Sequence, residues 1–400
     1  MIRRLLEIRH ILYALIALVL VICAVEVALQ VHVARKGTPF ADSVVERLTV
    51  PSWKMHHELR PGVKTVMASE NGQSVTIRTN SFGLRGPEPV MPKPLGTYRV
   101  LCLGDDTVFG GEVSEVDTLT NRLQEFLQKA TQQPVEVLNG GVPGYCPLLS
   151  LLQYRTSLAL LDADLIVLNF DMSDVCDDHK YRRLTQVGSD GVPVGCRSPL
   201  LVDGAAMNDL EICSRFQLTC LLKEYIGGVM NDRTAESTDV ESPTATWCWL
   251  KDDAPDWNVY LRHAMGPIVH LSNYVRSQSI PIVLTCVPAP WQVSRNAGGA
   301  ELRKRSGVAA DALYSSRHPF ELLSSVGQKY DVPFFDSSSS FLGQNKPERL
   351  FLTKSRGLSR YGHALFANGL AAFIQQNIRP FEHGSGQSIF RQATDRRAVR

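Results

Sequence analysis

Carboxylates crowd two short stretches of this 400-residue chain. Gly104-Asp105-Asp106 follows the apolar run Val100–Leu103, and Asp171-Met172-Ser173-Asp174 follows Asn169-Phe170. Asp177, Asp178 and His179 come shortly after. Carboxylates at sharp turns carry two kinds of chemistry. One alone can attack as a nucleophile and form an ester, which a base-activated water must then release. Several together can hold a hard cation such as magnesium or calcium. Asp106 is the candidate for the first role, with His318, His179 and His363 as candidate bases. Asp105, Asp106, Asp171 and Asp174 are the candidates for the second, weighed against the plainer reading that such aspartates hydrogen-bond their own loops. Nothing in the sequence calls for a cofactor.

These groups need strand ends to present them. Apolar runs consistent with buried strands cover Arg99–Gly104, Val135–Asn139, Asp164–Phe170, Ile280–Val287 and Val332–Asp336. Helical patterns fall near 117–132, 147–161, 257–278, 319–330 and 360–377, the third opening on Pro255-Asp256. The alternation predicts a three-layer α/β/α fold on a parallel sheet with right-handed crossovers. A flavodoxin-like strand order, 2-1-3-4-5, puts the ends of the first and third strands side by side, where open α/β sheets bind ligands.

The blocks in their order resemble the SGNH (GDSL-type) esterase family, in its membrane-tethered bacterial form, over about residues 75–378. Asn80–Gly86 with Gly96-Thr97-Tyr98-Arg99 resembles the lead-in, and Gly104-Asp105-Asp106 the first block. Asn139-Gly140-Gly141-Val142-Pro143-Gly144-Tyr145 resembles the second, Asn169–Asp174 the third and Leu358–His363 the last. The resemblance implies the SGNH hydrolase fold and a catalytic set at five positions. The nucleophilic serine falls on Asp106, the oxyanion-hole glycine on Gly144 and the oxyanion-hole asparagine on Ser173. The catalytic aspartate falls on Ser355 and the catalytic histidine on Gly357. His363 matches a trailing histidine that is not the catalytic one. Of the five only Gly144 is kept. A carboxylate has no Oγ to attack with, and glycine has no side chain to take a proton, so the ordinary serine mechanism has no path here. The resemblance therefore implies a protein retained for binding or scaffolding, with acylated carbohydrate as the ligand class. The alternative is an ester hydrolase or acyltransferase with a non-standard set, through Asp106 or a carboxylate-bound metal.

Other side chains have two readings each. Cys146 follows the second block and is expected as a packed or disulfide-bonded cysteine rather than a nucleophile. Trp247, Trp249, Trp257 and Trp291 can stack on sugar rings, with core or rim packing the default. Arg356 and Lys354 flank the missing histidine position, and Arg360 and Tyr361 lie beside the last block. Arg356 and Lys354 are expected to be exposed on a loop, against the alternative of a cationic binding groove.

The composition is ordinary for a globular protein, 44% hydrophobic and 20% charged, and a formal net charge of +2 gives no case for nucleic-acid binding. From Ile11 to Leu29 the one strongly polar residue is Glu26, a length that crosses a bilayer core. Arg3, Arg4 and Arg9 precede it, which predicts a single-pass anchor over residues 1–36 with its N-terminus cytoplasmic and the rest extracytoplasmic. A cleaved signal peptide is the alternative; its apolar region would be shorter, and no small-residue cleavage site follows. Residues 37–97 read as a linker, as far as residue 60, and a small β region with a hairpin turn at Glu70-Asn71-Gly72. Residues 98–378 are the α/β domain. It carries an insertion at 175–255 that includes a turn at Ser189-Asp190-Gly191, a helical stretch near 206–228 and a polar loop at 231–246. Residues 379–400 read as a solvated tail. Nine cysteines include expected buried thiols at Cys102 and Cys286, and a middle group (Cys176, Cys196, Cys213, Cys220 and Cys248) where disulfides would suit an extracytoplasmic domain.

Overall fold

The structure, a computed structural model, describes residues 2–36, 48–69, 74–131, 133–201, 246–252 and 258–378. The predicted hairpin turn at 70–72, the helical stretch near 206–228, nearly all of the polar loop at 231–246, the Pro255-Asp256 helix start, Trp257, Cys213, Cys220 and the tail at 379–400 lie outside these residues.

The chain opens on α1 (Ile2–Lys36). Its Leu12–Leu29 stretch has a mean hydropathy of 2.8 and is the one helix among the described residues long and apolar enough to cross a membrane. Two small antiparallel pairs follow. β1 (Thr49–Pro51) pairs with β2 (His57–Leu59), and β3 (Lys64–Ala68) with β4 (Ser74–Arg78). The second pair is the predicted hairpin. The first corrects the expectation of a linker up to residue 60. Leu48, Met55 and Leu59 are buried with Tyr145, Leu148, Leu149 and Tyr181, so this segment packs on the main domain. Three widely spaced apolar residues bury it, too few to form a periodic signal.

The main domain runs β5 (Tyr98–Gly104), α2 (Asp106–Phe109), α3 (Leu119–Thr131), β6 (Val135–Gly141), α4 (Pro147–Gln153), β7 (Leu165–Phe170) and α5 (Asp174–Arg182). It continues through the hairpin β8 (Thr185–Val187) and β9 (Pro193–Cys196), then α6 (Asn258–Ser277), β10 (Ile282–Cys286), α7 (His318–Lys329), β11 (Phe334–Asp336) and α8 (Arg360–Asn377). The five-stranded sheet has the order β11-β10-β7-β5-β6, all parallel, which is the expected 2-1-3-4-5 order. β8 and β9 flank the predicted turn at Ser189-Asp190-Gly191, where Gly191 takes φ 79°. The helix expected over 147–161 is shorter. It widens into a π turn at Tyr154–Leu158, tightens over Ala159–Leu161 and stops at Asp162 (φ 52°).

Alternation along the strands builds the two outer layers. Val100, Cys102, Val167 and Val283 point to one face, where α3 supplies Leu119, Leu123 and Leu127 and α8 supplies Phe366, Leu370 and Ile374. Leu101, Leu103, Ile166, Leu168 and Leu284 point to the other, against Leu151 of α4, Ile268 and Leu271 of α6 and Leu323 of α7. Side chains four apart on one helix face and two apart on a strand meet in this way because of the two backbone periods. The sheet carries its strand ends at Gly104, Gly141 and Phe170 to one edge, where the site lies.

Candidate functional site at the strand ends

The turn between β5 and α2 is held by buried polar groups. Asp105 accepts from the Thr107 amide at 3.1 Å and is 4% exposed. Asn139 at the end of β6 donates to the Val108 carbonyl (2.8 Å) and accepts from the Gly141 amide (3.1 Å). Arg85, arriving from the segment after β4, is buried, and its guanidinium donates to the carbonyls of Phe109, Gly110 and Val113. Burial lowers its pKa to about 10. Gly141 leaves no room for a side chain, because a Cβ there would overlap the backbone of Val108 and Phe109. Each of these groups shapes backbone.

Asp106 stands at the head of this turn, in the serine's place. Solvent reaches it through the mouth of the cleft. Protein still replaces much of its hydration, and this burial raises its pKa, opposed by Arg356, reinforced by Asp171 and opposed by the Gly144 amide. That amide has a fixed direction. His57 lies 2.9 Å through Nε2 from the Pro143 carbonyl, which can only accept, so Nε2 carries the proton. Nδ1 of His57 then accepts from Nδ1 of His56, 2.9 Å away. Burial holds both rings below the usual histidine pKa, His56 at about 4. In a trans peptide the C=O and the next N–H point opposite ways. Fixing the Pro143 carbonyl toward His57 thus turns the Gly144 N–H to the opposite side of the peptide.

The third-strand groups face one another. The Thr107 hydroxyl donates to Asp171 Oδ2 at 2.9 Å, and the Ser173 hydroxyl to Asp171 Oδ1 at 3.3 Å. The Asp171 amide donates to Asp174 Oδ2 at 2.9 Å. Ser173, expected at the oxyanion-hole asparagine's position, therefore spends its hydroxyl on the Asp171 carboxylate. Burial, with carboxylate neighbours, pushes the Asp105 and Asp174 carboxyls well above the usual range. Burial also raises Asp177 to about 6, against the pull of Arg356 and Lys180. Among the described residues no three histidine, cysteine or acidic side chains are placed to hold a metal ion, so the grouping of Asp105, Asp106, Asp171 and Asp174 as ligands finds no support. The ordinary role of these aspartates, bonding their own loops, is what the hydrogen bonds show for Asp105, Asp171 and Asp174.

The last loop carries Arg356, which the sequence reading favoured as exposed over lining a cationic groove. Ser355 accepts from the Gly357 amide at 3.3 Å, and neither position carries an acid or a base. Arg356 between them keeps contact with solvent, as expected for a loop, but its charge is turned inward. The guanidinium lies 5.3 Å from the ring centre of Trp247, and its pKa is raised by Asp171, Asp106, Asp177 and Asp105 against the effect of burial. Trp247 packs edge-on against Trp291 with ring centres 4.6 Å apart. Thr107, Asp171, Trp247 and Arg356 line a cavity of about 10 Å³, room for about one water molecule. Trp249 is buried, donating to the Met172 carbonyl at 3.0 Å. Trp247, Trp249 and Trp291 are thus core or rim, and none of the three offers an open face for a sugar.

The candidate bases lie elsewhere. His363 is buried inside α8, with its pKa lowered to about 3 by burial and by Arg85. His179 lies 2.7 Å from the Arg183 guanidinium, and His318 starts α7. The described groups that act on Asp106 are Arg356, Asp171 and the Gly144 amide, with no histidine among them. Cys146 is buried before α4, and burial pushes its thiol well above the usual range. Cys102, Cys196 and Cys286 are also buried free thiols. The sequence reading gave no role to Arg85 or His57. It named Asp177 among the carboxylates after the third strand and favoured exposure over a cationic groove for Arg356, whose place beside the vacant histidine position was its signal.

No family model matches the chain, and no curated protein matches it. Solved structures do. A lipase/acylhydrolase from Enterococcus faecalis is 11% identical with a TM-score of 0.39, over 69% of this chain and 95% of that one. A putative acylhydrolase from Bacteroides fragilis is 14% identical with a TM-score of 0.36, over 73% of this chain and 92% of that one. A catalytic mutant of an acetylxylan esterase from Geobacillus stearothermophilus is 11% identical with a TM-score of 0.35, over 69% and 94%. At these values the likeness assigns no role to any residue of this chain.

Proposed function

We propose that this chain is a membrane-anchored SGNH/GDSL-hydrolase-like protein, silent as a serine esterase and retained for scaffolding or binding at the cell surface. One observation carries the reading. The side chain at the nucleophile position is a carboxylate whose charged form is favoured by Arg356 and the Gly144 amide, and no described histidine hydrogen-bonds it. Such a group has a counter-charge but no partner that shuttles a proton. The sequence resemblance supplies acylated carbohydrate as the ligand class. A cavity with room for about one water beside Thr107 and Arg356 holds no sugar ring, since ligand pockets run to several hundred Å³. Scaffolding, or glycan contact at the rim, is therefore favoured over binding deep in the cleft. The anchor is α1, oriented by Arg3, Arg4 and Arg9 with its N-terminus in the cytoplasm and the α/β domain outside.

The test is an assay of the full chain in detergent on aryl acetates and acetylated sugars. The expected result is no turnover above buffer. Turnover that vanishes in Asp106→Ala would overturn the reading.

A further inference from the structure

The face on which the chain enters the folded domain has a surface of its own. Trp53 stands in the β1–β2 turn and is 55% exposed. β9 runs beside that turn. The Cys196 amide donates to the Lys54 carbonyl at 2.8 Å, and the Ser198 amide to the Ser52 carbonyl at 3.0 Å. These bonds set Arg197 against the indole, its guanidinium 4.3 Å from the ring centre. Lys54 and Arg197 are exposed, as are Val194 in β9 and Leu200 in the turn after it. Arg183 adds a third exposed cation, since the Arg197 amide bonds the carbonyl of the neighbouring Leu184 at 3.2 Å. On the β8–β9 hairpin the exposed acid is Asp190, away at the turn. An exposed indole among aliphatic side chains and cations suits the boundary between lipid and water. The ring and the stems enter the apolar side, while the charged heads stay with the phosphates.

The position of this face in the chain points the same way. Leu48, the first described residue after α1, is buried with Met55, Leu59 and Cys196 beneath it. Even fully extended, the chain from Lys36 to Leu48 spans about 40 Å, whereas a domain of this size is about 50 Å across. The tether is shorter than the domain is wide, so it favours this face as the one turned toward the end of α1.

We propose that the face built on Trp53, Lys54, Arg183 and Arg197 rests on the bilayer that α1 crosses, with the indole among the headgroups and the three cations on the phosphates of anionic lipid. The inference rests on the reading of α1 as an anchor and goes beyond it by assigning a second, peripheral contact. A single helix leaves the domain free to swivel, and two contacts fix its orientation. Tyr145, next to Gly144, belongs to the same buried cluster, so docking here holds the strand-end cleft close to the lipid surface.

The experiment is tryptophan fluorescence of the full chain reconstituted in phosphatidylglycerol-containing vesicles, with and without bromine on the acyl chains. α1 carries no tryptophan, and Trp247, Trp249 and Trp291 are buried. Brominated lipid is expected to quench at most about a fifth of the emission, the share of one tryptophan in five. Trp53→Phe is expected to remove that quenching. Lys54→Gln with Arg197→Gln, or vesicles of phosphatidylcholine alone, should weaken it, and so should 1 M salt, which screens exposed charges. No quenching, or the same quenching in Trp53→Phe, would overturn the proposal. Absent quenching with Trp53 shielded from aqueous acrylamide would assign the face to another segment of this chain or to a second copy. Flotation with the vesicles in alkaline carbonate reads α1 separately. A chain that floats without Trp53-dependent quenching overturns the peripheral contact alone, and a chain that fails to float overturns the anchor and this contact together.

Discussion

The turn after β5 and the loop before α8 meet across the same cleft, and they are built in opposite ways. In the turn, Arg85 binds three carbonyls, Asn139 bridges strand and helix, and Asp105 caps Thr107. These side chains are at most 4% exposed. In the loop, Thr353, Lys354 and Arg356 are exposed, and the local bonds run from the Gly357 amide to Ser355 and from the Leu352 amide to the Gly357 carbonyl. A buried polar group left without its partner costs about 1–3 kcal/mol, whereas an exposed one turns to water. The turn's geometry is therefore over-determined by buried polar groups, whereas the loop leaves most of its side chains to solvent. Asp106 marks the seam between the two, as the exposed residue in an otherwise buried turn.

The largest effects should come from the turn. Arg85→Ala unpairs three buried carbonyls and should destabilise by about 3–5 kcal/mol, lowering Tm by roughly 10 °C. Lys354→Ala and Ser355→Ala should stay within about 0.5 kcal/mol. Comparable losses from the two regions, measured by chemical denaturation, would erase the contrast. Gly141→Ala sharpens it further. Its methyl group meets the Val108 and Phe109 backbone, which cannot give way as a side-chain end can. A loss of about 1–3 kcal/mol is expected from the forced backbone shift. Gly357→Ala meets the Leu352 Cδ1 at 3.2 Å and the Ser355 Oγ at 3.3 Å, both movable, and should cost less.

A further effect concerns pH. Asp177 titrates at about 6 in the folded chain, above the 3.8 of the free side chain. Between those values the folded state holds the extra proton, so wild-type stability falls as pH rises from about 4 to about 6. Asp177→Asn should be neutral near pH 4 and about 1–2 kcal/mol more stable than wild type at pH 7, allowing for partial exposure. A constant difference between the two across this range, in Tm against pH, would mean that burial does not dominate at this carboxyl.

Much of this was legible beforehand. Alternation in Val100–Leu103 and Leu165–Phe170, with helical spacing in Leu119, Leu123 and Leu127, is a local signal and placed both faces of the sheet. The block order put Asp106, Gly144, Ser173 and the 355–357 loop around one cleft edge. The role of Arg356 was not legible, because a guanidinium's direction depends on a tryptophan more than a hundred residues away in sequence. His57 was invisible for a related reason: it acts on a main-chain carbonyl, and any residue can supply one. The segment Leu48–Leu59 was misread because its burial depends on where β9 and α4 happen to lie.

Gly141 carries a consequence for how such a chain can change over generations. The backbone of α2 fills the volume its side chain would need, so that position stays shut to drift whether or not the neighbouring chemistry survives. A mould of this kind preserves the outline of a cleft whatever side chains come to line it.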